Sequence, residues 1–290
     1  MSSIQSIAKL FCRLEIDDHK LLRALSTSTV HHRFLTREQL AISAKLHRDK
    51  ADFVISKLKG IKLISVTPDG VSLLMAGLDA VALRAFVERD IIEGLGSPIG
   101  VGKESDVLEA ITDKGQRRAI KFYRIGRISF RQVRRKRSFL GDTYSHDWIL
   151  TNIRAAQTEY SILQRLQDTG ITIPIPYFRQ LHSIVMNRIE GAVLVDTKDI
   201  QNPRGLLFDI LNDVKIAYKH NIINCDLSEY NIIVDVENRP WIIDWPQSVS
   251  RAHPNAGLLI RRDISNVVNF FNRKFHLEVA SSEALKRVLE

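Results

Sequence analysis

Cysteine is scarce in this chain of 290 residues, with only Cys12 and Cys225. Two cysteines so far apart form no disulfide framework, and no set of Cys and His residues has the spacing of zinc ligands. No run of about 18 apolar residues is present, which excludes a transmembrane helix. The first residues also lack the apolar run of a signal peptide. These absences favour a protein that folds in the reducing cytoplasm.

Acidic residues are absent from residues 117–137, which contain ten Lys or Arg. The chain has 42 Lys and Arg and 33 Asp and Glu, so without those ten the remaining 32 basic residues would nearly balance the acidic ones. This basic stretch therefore carries the positive excess of +9, and a polyanionic partner is expected to bind it. The candidate phosphate contacts are Arg131, Arg134, Arg135, Lys136 and Arg137.

The first 77 residues have the order helix, turn, helix and hairpin. Thr36 is expected to cap one helix and Asp49 to cap a second, with Phe53 among the residues that the second helix buries. The sequence Thr-Pro-Asp-Gly at residues 67–70 lies between two β-rich runs and predicts a hairpin turn. This order is typical of a winged helix that binds nucleic acid, and the alternative is a small helical packing domain.

The rest of the chain begins with strands and continues mainly with helices, which indicates an α+β fold. We predict a winged-helix domain over residues 1–77, a linker helix over 78–92 and a two-lobed kinase-like domain over 93–290. Its N-lobe is expected at about 93–186 and its C-lobe at about 190–290. No internal repeat is present.

A glycine-rich segment precedes a predicted strand and resembles the phosphate loop of kinases. Its candidate phosphate contacts are Gly100, Gly102, Lys103 and Ser105. The Walker A motif does not fit, because the residues at the required positions are Ser97 and Glu104. A Rossmann loop would open a helix, whereas this segment leads into a strand pattern.

Lys121 follows Ala119 and Ile120 on the next predicted strand, as in the kinase strand whose lysine holds nucleotide phosphates. A buried lysine requires a carboxylate partner, and Glu159 on the following long helix is the candidate. The alternative is that Lys121 is a solvated edge residue and Glu159 a surface residue of its helix. The segment from Met186 to Ile189 follows a strand and is the candidate hinge for adenine.

Asp226 is followed five residues later by Asn231, which is the spacing of the kinase catalytic loop. Two short strands then lead to Asp244, and the hairpin between them is expected to bring the three side chains together. Asp226 is the candidate catalytic residue, and Asn231 and Asp244 are candidate ligands of Mg²⁺ or Mn²⁺ beside ATP.

These motifs together resemble the RIO family of atypical kinases, in the subfamily that has an N-terminal winged helix, Rio two. The matching segments are residues 102–106, 226–231 and 243–247, with further similarity at 129–131, 253–256 and 262–264. The resemblance implies serine/threonine kinase or ATPase activity, with transient transfer of phosphate to Asp244. It also implies a role in small ribosomal subunit maturation, with rRNA bound through the winged helix and the basic stretch.

The chain departs from the family pattern at Asn224 and Cys225, where relatives usually have His-Gly. Because the sequence stops at Glu290, we expect the short archaeal form. One rival hypothesis is a small-molecule kinase of the aminoglycoside type, which would require an expanded C-lobe with an acidic lining. The other is a nucleic-acid-binding regulator with an inactive kinase fold, which the complete set of catalytic residues disfavours.

Overall fold

The computed structural model describes residues 4–29, 34–126 and 143–290. The chain divides into two compact units, one formed by Met1–Arg154 with Phe178–Val185 and the other by Ala155–Tyr177 with Met186–Glu290. Within the described ranges, no helix has both the length and the apolar character needed to cross a membrane.

The N-terminal part of the first unit has the predicted winged-helix order. Its elements are α1 (Ile4–Phe11), α2 (Ile16–Thr29), α3 (Arg37–Ala44), α4 (Arg48–Gly60), β1 (Ile64–Thr67), β2 (Gly70–Leu73) and α5 (Met75–Val87). Thr36 caps α3 as predicted, and it forms a capping box with Gln39.

Two expectations for α4 are wrong. The helix starts at Arg48 with His47 as its N-cap, so Asp49 lies in the first turn instead of at the cap. There its carboxylate still faces the positive end of the helix dipole. Phe53 is 68% exposed, because the buried side of α4 is formed by Val54, Ile55 and Leu58.

The predicted hairpin is confirmed, with Thr67 paired to Gly70 across the turn. The first strand starts at Ile64, after the left-handed backbone of Lys62, which has φ of 59°. Gly70 also has a positive φ, of 136°, and a Cβ there would lie 2.7 Å from the Leu35 carbonyl oxygen. Gly70 is therefore required by the fold itself.

The second part of the first unit contains most of a five-stranded sheet with the order β3-β4-β5-β7-β6. Its strands are β3 (Gly94–Val101), β4 (Ser105–Ile111), β5 (Arg117–Tyr123), β6 (Pro176–Gln180) and β7 (Ser183–Asn187). Strand β3 was not predicted, because it contains Pro98 and three glycines, and both residue types are rare in strands. It is an edge strand, and its pairing with β4 is irregular on both sides of Pro98.

The second unit is formed mainly by helices around a small sheet of order β10-β9-β8. Its elements are the part of α6 (Thr143–Leu166) from Ala155 onward, β8 (Gly191–Val193), α7 (Pro203–Lys219), β9 (Ile232–Asp235), β10 (Pro240–Ile242), α8 (Ala256–Phe275) and α9 (Ser281–Leu289). Ile260, Ile264, Val267 and Phe271 of α8 are buried at helical spacing. The helix α9 that follows it was not predicted.

Candidate active site

The glycine loop is a tight turn between β3 and β4 in the first unit. The Gly102 N–H donates to the Ser105 carbonyl at 2.8 Å, and Gly100 pairs with Val107. Among the residues that the structure describes, a Cβ at Gly100 would meet no atom within 4 Å, and one at Gly102 would meet only the Ser105 oxygen at 3.4 Å and the Glu104 nitrogen at 4.0 Å. The protein has room for side chains at both positions, so these glycines leave the backbone open to an approaching phosphate.

Lys121 lies on β5 between β4 and β7 and is buried, which excludes the alternative of a solvated edge residue. Ile120 and Phe122 point to the opposite face and are part of the core. The Lys121 ammonium lies 4.9 Å from the centroid of the Tyr123 ring, two residues along on the same face. Such a contact between a cation and an aromatic face stabilises a lysine that is largely removed from water.

A buried charged network supports the glycine loop, and sequence reasoning missed it. The Arg124 N–H donates to the Glu104 carbonyl at 2.5 Å, and its guanidinium donates to Asp79 at 2.8 and 3.0 Å and to Asp106 at 3.2 Å. The His182 Nε2 lies 2.8 Å from the same Asp79 carboxylate. A lone acidic residue in the apolar helix α5 was the signal that could have identified Asp79.

The charges in this network fix its protonation state. Burial would raise the pKa of Asp79, but Arg124 and His182 together hold that pKa below its usual value. Burial also lowers the pKa of His182, which keeps the imidazole neutral at physiological pH. Arg124 therefore belongs to the folded core, although the sequence placed it in the basic stretch. The five candidate phosphate contacts of that stretch lie outside the described residues.

The catalytic and metal loops come together within the second unit. The Asn231 amide donates to the Asp226 carbonyl at 2.8 Å and to the Asp226 carboxylate at 3.1 Å. The Ile243 N–H donates to the Asn231 carbonyl at 2.9 Å, which anchors the segment that carries Asp244. Asp244 itself has a left-handed backbone, with φ of 69°.

Like charges are concentrated at this point of the second unit. Partial desolvation of its carboxyl raises the pKa of Asp226, although the residue as a whole is exposed, and the charge of Asp244 raises it further. A divalent cation would relieve that repulsion, and two carboxylates with an amide oxygen match the hard oxygen ligands that Mg²⁺ takes beside phosphates. The donor set therefore fits the predicted metal.

Glu159 lies on α6 and is buried, so the alternative of a surface residue is wrong. Its carboxylate accepts a hydrogen bond from the Trp245 N–H at 3.1 Å, which fixes the residue after Asp244. This contact was not predicted. Glu159 belongs to the second unit and Lys121 to the first, and their pairing stays a prediction.

The candidate hinge contains two buried residues, Met186 at the end of β7 and Ile189 after it. The Asn187 N–H donates to the Ile175 carbonyl at 3.1 Å, and the Asn187 side chain accepts from the Ile175 N–H at 2.7 Å. These bonds fix the backbone of the segment. The role of the segment in adenine binding stays a prediction.

Family models match most of the chain. The model described as the RIO domain matches residues 106–284, and that described as Rio2, N-terminal, matches residues 11–89. The RIO-type serine/threonine-protein kinase Rio2 of Methanocaldococcus jannaschii is 31% identical over 84% of this chain and 92% of its own length. The serine/threonine-protein kinase rio2 of Schizosaccharomyces pombe is 32% identical over 90% of this chain and 77% of its own length.

The fold also matches a solved structure. The Rio2 kinase of Chaetomium thermophilum, in a complex with ADP, Mg²⁺ and phosphoaspartate, superposes with a TM-score of 0.84 and is 29% identical. The match covers 96% of this chain and 88% of that one.

Proposed function

Because the chain belongs to the RIO kinase family, in its Rio2 branch, and is a serine/threonine-protein kinase, we propose that it uses ATP with Mg²⁺. The grouping of Asp226, Asn231 and Asp244 is the observation that carries this proposal. The relatives are named as protein kinases, which favours this function over the small-molecule kinase. The same names disfavour the other alternative, a nucleic-acid-binding regulator with an inactive kinase fold.

Each group of residues has a distinct role. The open backbone at Gly100 and Gly102, with Lys103 and Ser105, holds phosphate oxygens, and Lys121 contributes a fixed positive charge. Asp226 orients the acceptor and takes its proton, while Asn231 and Asp244 offer oxygens to the cation. Mg²⁺, when bound, neutralises the negative charge of the phosphates.

We further propose that the enzyme acts as an ATPase through Asp244. A carboxylate oxygen of Asp244 would form a bond to the γ-phosphorus while the bond from that phosphorus to the β–γ bridging oxygen breaks, which releases ADP. Water would then hydrolyse the acyl phosphate to restore the carboxylate and release inorganic phosphate. The phosphoaspartate in the Chaetomium complex supports this proposal, as does the anchoring of the residue after Asp244 by Glu159.

The test is the variant Asp244→Asn. We expect ATP turnover to fall more than about 100-fold, since changes in outer-shell residues alone cost about 10–100-fold. Nucleotide binding should also lose much of its dependence on Mg²⁺ and on Mn²⁺, which calorimetric titration with each cation would measure. Turnover equal to that of the parent enzyme would contradict the assignment.

We also propose that the physiological partner is the precursor of the small ribosomal subunit, with rRNA bound by the basic stretch and the winged helix. On α4, Arg48, Lys50 and Lys57 each lie within ion-pair distance of a carboxylate. This pairing favours residues 131–137 as the main phosphate contacts.

Neutralising Arg131, Arg134, Arg135, Lys136 and Arg137 tests this partner proposal. The slope of log affinity against log salt should flatten by about 3.5–4.5, because each phosphate contact contributes about 0.7–0.9. Filter binding to the ribosomal precursor at several salt concentrations would measure the slope, with ATP binding as the unchanged control. A variant that neutralises Arg48, Lys50 and Lys57 is the comparison, and a larger change in that variant would assign the contact to the winged helix.

A further inference from the structure

Asn224 connects the two loops of the candidate active site through a single buried side chain. Its Oδ1 accepts a hydrogen bond from the Asp226 N–H at 3.0 Å. Its Nδ2 donates to the Asp244 carbonyl at 3.2 Å. The carboxamide therefore bridges backbone atoms of the two acidic residues.

We propose that Asn224 is a positioning residue that fixes Asp226 and Asp244 relative to each other. This inference rests on the proposed function, because it assumes that those two carboxylates serve phosphoryl transfer. Asn224 itself touches neither carboxylate through the two bonds described. It acts on the backbone that carries them, and thereby on the spacing of the oxygens offered to a cation.

The chemistry of the two bonds determines which side chains can occupy position 224. One bond requires an acceptor for the Asp226 N–H, and the other requires a donor for the Asp244 carbonyl. A carboxamide supplies both, and a neutral imidazole also has one donor and one acceptor nitrogen. A neutral histidine at position 224 could therefore form the same two bonds. An ionised aspartate of the same shape supplies only acceptors, and leucine supplies neither.

The backbone around Asn224 is held by other contacts, so losing its side chain should not unfold the loop. The Cys225 N–H donates to the Asp263 carboxylate at 2.7 Å, and the Arg262 guanidinium donates to the Cys225 carbonyl. Ile223 pairs with Val249 through two backbone hydrogen bonds of 2.9 and 3.0 Å. These anchors allow a positioning role to be separated from a role in folding.

Three variants of position 224 test the proposal in the full chain. Asn224→Asp removes the donor, Asn224→Leu removes both groups, and Asn224→His restores both with a different side chain. We expect kcat to fall about 10–100-fold in the first two, the range seen for outer-shell residues. The KM for ATP should change less than kcat. Asn224→His should recover kcat to within a few-fold of the parent at pH 8, where imidazole is neutral.

Amide hydrogen exchange at Asp226 gives a readout that is independent of turnover. Exchange should accelerate in Asn224→Leu, because the Asp226 N–H loses its acceptor, and should stay near the parent rate in Asn224→Asp, whose carboxylate still accepts that bond. In Asn224→His the rate should return toward that of the parent. The matched control is Asn221→Asp. Asn221 Oδ1 accepts from the Arg251 N–H at 3.1 Å and does not bond to either acidic residue. This control should leave kcat and the Asp226 exchange rate unchanged.

The outcomes separate this inference from the proposed function. Unchanged kcat in both Asn224→Asp and Asn224→Leu, with unchanged exchange in Asn224→Leu, would overturn the inference, as would an Asn224→His variant as impaired as Asn224→Leu at equal thermal stability. Full activity of Asp244→Asn would overturn the proposed function instead, while the exchange measurement would still report whether Asn224 holds the Asp226 backbone.

Discussion

The glycine loop at residues 100–105 and the catalytic loop at residues 224–231 offer different parts of the chain for binding. In the glycine loop, Gly100 and Gly102 expose backbone that no side chain in the described part of the chain covers closely. In the catalytic loop, side chains of Asn224 and Asn231 form hydrogen bonds that fix Asp226. The first arrangement suits a ligand held by many weak donors, and the second suits chemistry that depends on one accurately placed carboxylate.

Among the variants that compare the two loops, Asp226→Asn is expected to have the largest effect, a loss of kcat. The amide is nearly the same size but cannot take a proton, so kcat should fall by about 10²–10⁴-fold, the usual contribution of a general base. Affinity for ATP should change little, because the glycine loop is untouched. Steady-state turnover and nucleotide titration would measure the two quantities. A variant that lost ATP affinity but kept kcat would show that the two loops do not divide the work in this way.

The buried charged network that supports the glycine loop is expected to give the next largest effect, a loss of stability. Asp79→Ala leaves the buried Arg124 guanidinium without one of its two carboxylate partners. Removing one partner of a buried pair destabilises by about 3–5 kcal/mol. Urea unfolding would measure this loss, and Glu88→Ala on the same part of the chain is the control, because its ion pair with Arg84 is exposed and contributes about 0.3–0.5 kcal/mol. Equal losses in both variants would contradict the role of the network.

The smallest effect on stability is expected at the glycine loop itself. Gly102→Ala should change the free energy of unfolding by less than about 0.5 kcal/mol, because no close contact results, yet raise the KM for ATP. Gly70→Ala is the matched comparison, for which we expect the opposite result. Its positive φ and the 2.7 Å approach of an added Cβ to the Leu35 carbonyl oxygen predict a loss of about 1–3 kcal/mol in the free energy of unfolding, with the KM unchanged. If Gly102→Ala were the more destabilising of the two, the distinction between functional and structural glycine would fail.

The site residues that the sequence predicted well belong to a motif that is recognised by its spacing along the chain. The five-residue interval from Asp226 to Asn231 is read directly from the chain, and the structure brings these two side chains into contact. Strand β3 was missed because its irregular pairing at Pro98 leaves no alternating pattern. Phe53 was assigned to the core because helical periodicity gives the apolar stripe and not its edge.

The contacts that sequence could not predict join residues far apart in the chain. Asp79 and Arg124 are 45 positions apart, and Glu159 and Trp245 are 86 positions apart. No local propensity reports such a pair, since it depends on where the elements meet. The role of Asn224 was not predicted either, because the side chain of an asparagine in a loop usually forms hydrogen bonds within its own turn.

The bond between Asp79 and Arg124 limits how freely this enzyme's parts can be exchanged. Helix α5 closes the winged helix in sequence, but its carboxylate neutralises a guanidinium whose own N–H holds the Glu104 carbonyl in the glycine loop. A chimera that joined a foreign N-terminal domain at residue 93 would have to supply an equivalent buried acid or replace the arginine. Exchanging either segment alone would therefore leave one side of that buried bond without its partner.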